Sequence, residues 1–185
     1  MVKSTRPRRK AGSRFAPQVS SALGAWEDGS SDVRGLQEEM SSWKENLEGN
    51  NMEHLPKYDE VSECADVLET VADELEGIDF PEVIQDIEVK YTQDTRQSAQ
   101  SRAGRLDNAL NCLTAAISAA EEWMQDNPEL TLFEGEDGEE PGDDEVATQE
   151  EVDEREEQRT SIQEWLDDAQ QQVDELQNVG FPGMY

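Results

Sequence analysis

Apolar residues recur at helical spacing in the first half of this chain. Four of them lie three or four positions apart, on one face of a helix: Leu36, Met40, Trp43 and Leu47. Six more alternate steps of three and four, the pattern of a heptad seam: Val61, Cys64, Leu68, Val71, Leu75 and Ile78. A break rich in Gly, Asn and Pro at 48–56 separates the two stretches. The pattern predicts two helices joined by a turn, with Asp32 as the first N-cap and Gly77 at the second C-cap.

The second half repeats this organisation with a longer break. Pro81 is suited to the first position of a third helix, whose first apolar face would hold Val83, Ile84, Ile87 and Tyr91. The face continues at heptad spacing with Leu106, Leu110, Leu113, Ile117, Ala120 and Met124. The pattern leaves open whether 82–126 is one helix or two segments broken near Gly104. A last helix is predicted over about 148–177 with a seam of Ile162, Leu166, Ala169, Val173 and Leu176, and Asn178 or Gly180 would cap it.

Two short segments indicate an internal repeat. "DELEGIDFP" (Asp73–Pro81) returns as "DELQNVGFP" (Asp174–Pro182), at a constant offset of 101 residues. Each follows a Trp-bearing helix, a Pro-containing break and a heptad helix. The sequence therefore predicts an all-α fold of duplicated helical hairpins, forming a four-helix bundle or a coiled-coil-like assembly. The predicted domains are a flexible basic tail at 1–30, a first hairpin at 31–81, and a second at 82–185 with an acidic loop at 127–147.

Charge is distributed very unevenly along the chain. The 185 residues include 45 acidic and 15 basic side chains, for a formal charge of −30. Six basic residues and no acid fall in the first 26 positions, so the remainder holds nine basic and 45 acidic residues, a net of −36. This charge repels nucleic acids and anionic membranes, and it favours basic proteins as partners. No apolar run is long enough for a spanning helix, and no apolar region follows the basic N-terminus as in a secretory signal.

Residue types that carry chemistry are scarce. His54 is the one histidine, so a Ser/His/Asp or Cys/His arrangement would depend on it alone. Cys64 and Cys112 lie far apart at apolar helical positions, which favours buried thiols over a disulfide. The acidic loop lacks the ligand order of a calcium-binding loop, and no Glu-x-x-His motif of a di-metal bundle is present. We therefore expect no enzyme activity, no catalytic or metal-binding residue and no cofactor.

The acidic loop is the predicted partner-binding surface. Its candidate residues are Glu134, Glu136, Asp137, Glu139, Glu140, Asp143, Asp144 and Glu145. Three explanations of the acidity remain open: adaptation to salt, acidic faces that meet basic partners, and carboxylates that mimic DNA phosphates. The basic segment Lys3–Arg14 is the one place where nucleic acid would bind. It could equally act as a localisation signal or fold back on the acidic body.

Two stretches carry a resemblance to a known group of proteins. "LQEEMSSWKENLEG" followed by "KYDEVSECADVLETVADELEGIDFPEV" resembles the small acidic helical proteins of tailed bacteriophages. The resemblance implies a viral setting, in the host cytoplasm or the virion, and assigns no activity. Together with the acidity, it leads us to expect an interaction protein that binds a basic host or viral protein, in the sharpest form a DNA-mimic-type inhibitor of a nucleic-acid-binding or defence protein. The alternative is a virion or assembly component whose helices mediate oligomers, including homo-oligomers.

Overall fold

The computed structural model describes residues 15–94, 101–130 and 148–183. A strand, β1 (Phe15–Ser21), leads directly into helix α1 (Ala22–Gly49), and α2 (Pro56–Gly77) follows. A short 3₁₀ turn (Glu82–Ile84) precedes strand β2 (Glu88–Asp94). Helices α3 (Arg102–Asp126) and α4 (Gln149–Gln177) complete the described chain. The protein is thus mostly helical with one small antiparallel sheet, and the prediction of a purely α fold is wrong.

Helix α1 begins eleven residues before the position predicted for it. Ser21, not Asp32, is the N-cap, and its Oγ accepts a hydrogen bond of 3.1 Å from the Gly24 N–H. Residues 15–30 were assigned to a flexible tail because "SALGAWEDGSS" is rich in Gly and Ser, which have low helix propensity. Tertiary packing overrides that propensity, since one face of this segment is buried: Ala22, Ala25, Trp26, Gly29 and Ser30. Residues 1–14 of the predicted tail lie outside the described residues.

The strand pair replaces the predicted start of a third helix. β1 and β2 pair antiparallel, with Gln18 opposite Tyr91 at the centre of the register. Val89 and Tyr91 are buried while their neighbours Glu88 and Lys90 are exposed, which is the period of two expected of a half-buried strand. Helical spacing also fits the apolar residues of this segment: Val83, Ile84, Ile87 and Tyr91. The prediction of a helix here is therefore wrong. The β-branched and aromatic content of "EVKYT" favoured the strand.

Helix α3 resolves the question left open at Gly104. Its N-cap is Ser101, whose Oγ accepts a hydrogen bond of 3.2 Å from the Gly104 N–H. Gly104 therefore lies in the first turn of a new helix, downstream of β2. The same Ser-x-x-Gly arrangement caps α1. At the other end, the Asn127 N–H bonds the Trp123 carbonyl, and Pro128 follows, as predicted.

The bounds of α2 and α4 agree closely with the predicted ones. α2 begins at Pro56 and ends at Gly77. The next residue, Ile78, has an extended backbone and is the C-cap. α4 begins after Thr148, which forms a capping box with Glu151, and Asn178 is its C-cap. The hydrogen bonds from Thr148 lower the pKa of the Glu151 carboxyl, because they favour its charged form.

All four helices contribute to one hydrophobic core. α1 packs against α2 and α3, and α4 packs against α3 and α2, while β2 lies on α3. Most predicted seam residues are buried, including Leu68, Leu113 and Ile162. Cys64 and Cys112 are buried free thiols, which confirms that prediction. Within the described ranges, no helix has the length and apolar character needed to cross a membrane.

The internal repeat is visible in the burial pattern. Each buried position of α2 has a buried counterpart in α4 at the offset of 101: Val61 and Ile162, Cys64 and Trp165, Ala65 and Leu166, Leu68 and Ala169, Val71 and Gln172, Ala72 and Val173, Leu75 and Leu176. The Phe-Pro segments that follow also pack against the core through Phe80 and Phe181. Common descent of the two halves stays a prediction.

Candidate interaction surface

The acidic loop predicted as the partner-binding surface cannot be placed against the fold. All eight of its candidate residues fall within 131–147, outside the described residues. The acidic run continues beyond the loop, however, and residues 150–157 form the first two turns of α4. The described part of the acidic surface therefore starts where α4 starts.

Helices α2 and α4 present their acids to solvent. α2 and α4 are in contact and each buries one stripe in the shared core, so the opposite stripe of each helix faces solvent. The carboxylates of α2 are all exposed: Asp59, Glu60, Glu63, Asp66, Glu69, Asp73, Glu74 and Glu76. Ten of the eleven carboxylates of α4 are exposed and Glu175 is half-buried: Glu150, Glu151, Asp153, Glu154, Glu156, Glu157, Glu164, Asp167, Asp168 and Asp174.

The basic residues of α1 reach only the edge of this surface. Arg34 binds Asp73 at 2.6 Å and Glu76 at 2.8 Å, and Lys44 binds Asp66 at 2.9 Å. The hydrogen bond from Arg34 lowers the pKa of the Glu76 carboxyl. These pairs connect α1 to α2, and the two cations together offset two negative charges of α2. As exposed pairs, each contributes about 0.2–1 kcal/mol to stability.

The two arginines of α4 point toward α3 and away from the acidic stripe. Arg155 donates to the Asn127 side chain at 2.9 Å, and its guanidinium lies 5.6 Å from the centre of the Trp123 ring. Arg159 donates to the backbone carbonyls of Met124 and Asn127 at the C-terminal end of α3, where the helix dipole favours a cation. Among the described residues, no α4 carboxylate forms an ion pair.

The net charge of the two helices is strongly negative. α2 has eight acids and one lysine in 22 residues, a net of −7 over about 33 Å at a rise of about 1.5 Å per residue. α4 has eleven acids and two arginines in 29 residues, a net of −9 over about 44 Å. Before Arg34 and Lys44 of α1 are counted, each helix carries one net charge per roughly 5 Å of its length, against about 3.4 Å for one strand of DNA.

Two depressions interrupt the acidic surface. One, of about 450 Å³, lies on the outer side of α4 and is lined by Asp153, Glu156, Glu157, Thr160, Ser161 and Glu164. The other, of about 660 Å³, lies between α2 and the end of α4, and its lining includes Cys64, Val67 and Phe181. Burial raises the pKa of the Cys64 thiol to about 11, so the thiol is protonated at neutral pH and unreactive.

A separate basic cluster lies where α1 and α3 meet. Arg102 and Arg105 both bind the Glu39 carboxylate, the first at 2.7 Å. Burial alone would raise the pKa of Glu39, but the hydrogen bonds from Arg105 and Arg102 outweigh it and lower the pKa. Arg102 also lies 4.6 Å from the centre of the Trp43 ring. These arginines are occupied in joining two helices, so they do not offset the α2–α4 acids.

His54 is exposed in the turn between α1 and α2. Over residues 15–94, 101–130 and 148–183, no three or more His, Cys, Asp or Glu side chains group to hold a metal ion. The acids of α2 are not among the predicted partner-binding residues, although they recur between its seam residues along the whole helix. No family model, curated protein or solved structure matches this chain.

Proposed function

We propose that this chain is a non-enzymatic interaction protein that binds a basic protein through the acidic stripes of α2 and α4. The observation that carries the proposal is the net negative charge of these helices, −7 on α2 and −9 on α4, while both α4 arginines bind residues at the C-terminal end of α3. A groove that binds DNA phosphates would meet a long run of anions on each helix. In this proposal the four helices form a bundle that holds both stripes rigidly on one side.

The specific form we propose is inhibition of a nucleic-acid-binding or defence protein by occupation of its basic groove. The phage resemblance supports a setting in the host cytoplasm, where such a target would be found. Rigidity supports the same role, because carboxylates on packed helices keep fixed spacings and lose little entropy on binding.

The test is a pull-down from the native host lysate at low and high salt, with bound proteins identified by mass. The test variant combines four Glu→Gln changes on the proposed surface, and its control makes the same change in charge on α1 and α3. The test set is E69Q, E154Q, E157Q and E164Q, and the control set is E27Q, E38Q, E45Q and E122Q.

We expect one basic, nucleic-acid-handling protein to be retained by the natural chain and by the control variant, and lost from the test variant and at high salt. Equal loss of the partner from both variants would mean that the partner does not bind specifically to α2 and α4. Retention of the partner at high salt would contradict an electrostatic interface.

An assembly component is the second candidate, and the sheet favours it. β1 and β2 pair only with each other among the described strands, so each leaves one edge without a strand partner. Val19 on β1 is 60% exposed. A second copy or a particle protein could extend this sheet. Recovery of capsid or tail proteins, or only of the chain itself, in the same pull-down would favour assembly and a place in the virion.

A further inference from the structure

The cavity between α2 and the end of α4 has an apolar floor. Its volume is about 660 Å³. Cys64 and Pro182 are buried at its base, Val179 and Phe181 are half-buried, and Val67 is 37% exposed at its edge. An open concave surface of this size is in the range that receives a large side chain or a small ligand.

The repeat provides an internal reference for what fills such a space. At the offset of 101, Cys64 corresponds to Trp165, and Phe181 corresponds to Phe80. Across the two repeats, the Trp165 ring of the second lies edge-on to Phe80 of the first with 4.9 Å between centroids, and it also packs against Trp26 at 5.0 Å. The equivalent pair with the repeats exchanged is Cys64 and Phe181, where a small thiol stands in place of the indole. The cavity lies at the position that corresponds to the Trp165 ring beside Phe80.

The rim of the cavity is acidic and continuous with the α2–α4 stripes. Glu60 and Glu63 come from α2 and Glu175 from α4. Lys57 is also on the rim and binds Glu60 at 2.8 Å. One positive and three negative side chains give the rim a net charge of −2, so positively charged neighbours are favoured for any side chain that enters.

We propose that this cavity binds an aromatic anchor of the partner, presented on a segment with lysine or arginine on both sides of it. This inference rests on the proposed function, because it assigns the partner class of the same acidic surface. The aromatic ring would pack on Phe181 as Trp165 packs on Phe80, while the flanking cations meet Glu63 and Glu175. Buried aromatic anchors surrounded by polar contacts are the usual hot spots of protein interfaces.

The experiment measures fluorescence anisotropy of two labelled peptides with the full chain. Both peptides alternate lysine and serine around a central residue, which is Trp in one and Ala in the other. We expect the Trp peptide to bind about ten-fold more tightly or better, as a hot-spot residue does. The Cys64→Trp variant should fill the cavity with its own indole. In this variant the ratio of the affinities for the Trp and Ala peptides should fall to about one, while the affinity for the Ala peptide stays unchanged.

A second pair of variants keeps the test decisive if Cys64→Trp melts abnormally. Val67→Gln changes the cavity edge, and Val83→Gln changes a valine of similar exposure (39%) in the 3₁₀ turn, outside the cavity lining. Only Val67→Gln should lower the preference for the Trp peptide.

The possible failures are distinguishable. Equal, salt-dependent binding of both peptides would contradict the proposal of an aromatic anchor but would still support binding to the acidic surface. Absence of salt-dependent binding by either peptide would overturn the proposed function as well. If the Trp peptide bound only after Arg8→Ser, Arg9→Ser and Lys10→Ser, the occupant would be the chain's own basic segment, and a partner anchor would be wrong.

Discussion

Glycine residues determine how closely α1 approaches α3. A Cβ on Gly29 would lie 2.7 Å from the Leu113 Cγ and 3.1 Å from the backbone carbonyl oxygen of Ala109. The second of these atoms belongs to the α3 backbone and cannot move independently. Gly35, two turns later on the same helix, has nothing within 4 Å of the same position. Substitution by alanine is therefore predicted to have opposite effects at the two glycines.

Gly29→Ala should lower the free energy of unfolding by about 1–3 kcal/mol, because overpacking at a helix contact outweighs the gain in helix propensity. Gly35→Ala should raise it by about 0.5–1 kcal/mol, since the residue gains propensity without a contact. Urea denaturation followed by circular dichroism measures both. Equal stabilisation by the two substitutions would mean that α1 and α3 do not approach closely at Gly29.

At the residue scale, the sequence predicts which seam residues are buried but does not predict the contacts of small residues. Leu68 and Ile162 are buried as their spacing predicts. Gly29 and Ser30 fall in the predicted flexible tail, because only the position of α3 makes their small size favourable for a helix. The seam spacing predicts that Cys64 is buried, but it contains no sign of the cavity beside it.

Ion pairs connect neighbouring elements, and the Glu39 cluster is the clearest case. Glu39 on α1 accepts hydrogen bonds from Arg102 and Arg105 on α3. Its folded pKa is lowered, so its contribution to stability is present above the pKa of the unfolded state and is lost as the pH falls through the folded pKa.

Glu39→Gln should therefore destabilise the protein by about 1 kcal/mol at pH 7, a modest value because the pair is partly exposed. The difference from the natural chain should shrink as the pH falls below the ordinary range of a glutamate and through the lowered pKa of Glu39, where the natural carboxyl becomes protonated as well. Denaturation midpoints measured from neutral pH down to strongly acidic pH check this. Glu38→Gln, at an exposed neighbouring position, is the matched control, and a pH-independent loss at Glu39 would contradict the pKa argument.

The sequence predicts helices and strands correctly where one hydrophobic period is clear. The prediction fails where a helical and a strand period fit the same residues. The bounds of α2 and α4 followed from uninterrupted seams and from Gly, Pro and Asn signals at their ends. β2 was misread because Ile84, Ile87 and Tyr91 satisfy a helical spacing. β1 carried too little apolar content to be recognised before its partner strand was placed.

The described residues hold 37 of the chain's 45 carboxylates, since the other eight lie within 131–147. Repulsion among them opposes folding and is screened by salt, since the Debye length falls from about 30 Å at 0.01 M to about 3 Å at 1 M ionic strength. The heptad seams predict that the acids of the helices face solvent, but sequence alone does not show that α2 and α4 are in contact.

Raising KCl from 0.01 to 1 M should raise the melting temperature by about 4–8 °C, which corresponds to relief of about 2 kcal/mol of repulsion. The rise should be smaller in the E69Q, E154Q, E157Q and E164Q variant, because part of the repulsion is already removed. Thermal melts followed by circular dichroism give both values. A melting temperature that falls with salt would mean that attractive pairs such as Arg34 with Asp73 dominate the electrostatics.

The pairing of β1 with β2 also has a consequence for synthesis of the protein. Phe15 is opposite Asp94, so β1 leaves the ribosome about 80 residues before its partner strand is complete. At about 5–20 residues per second this delay is roughly 4–16 s. α1 and α2 can form and pack during that interval, whereas the sheet cannot. The nascent chain therefore presents an unpaired strand next to a finished helical hairpin, and this interval is when a chaperone or a second nascent copy could bind β1.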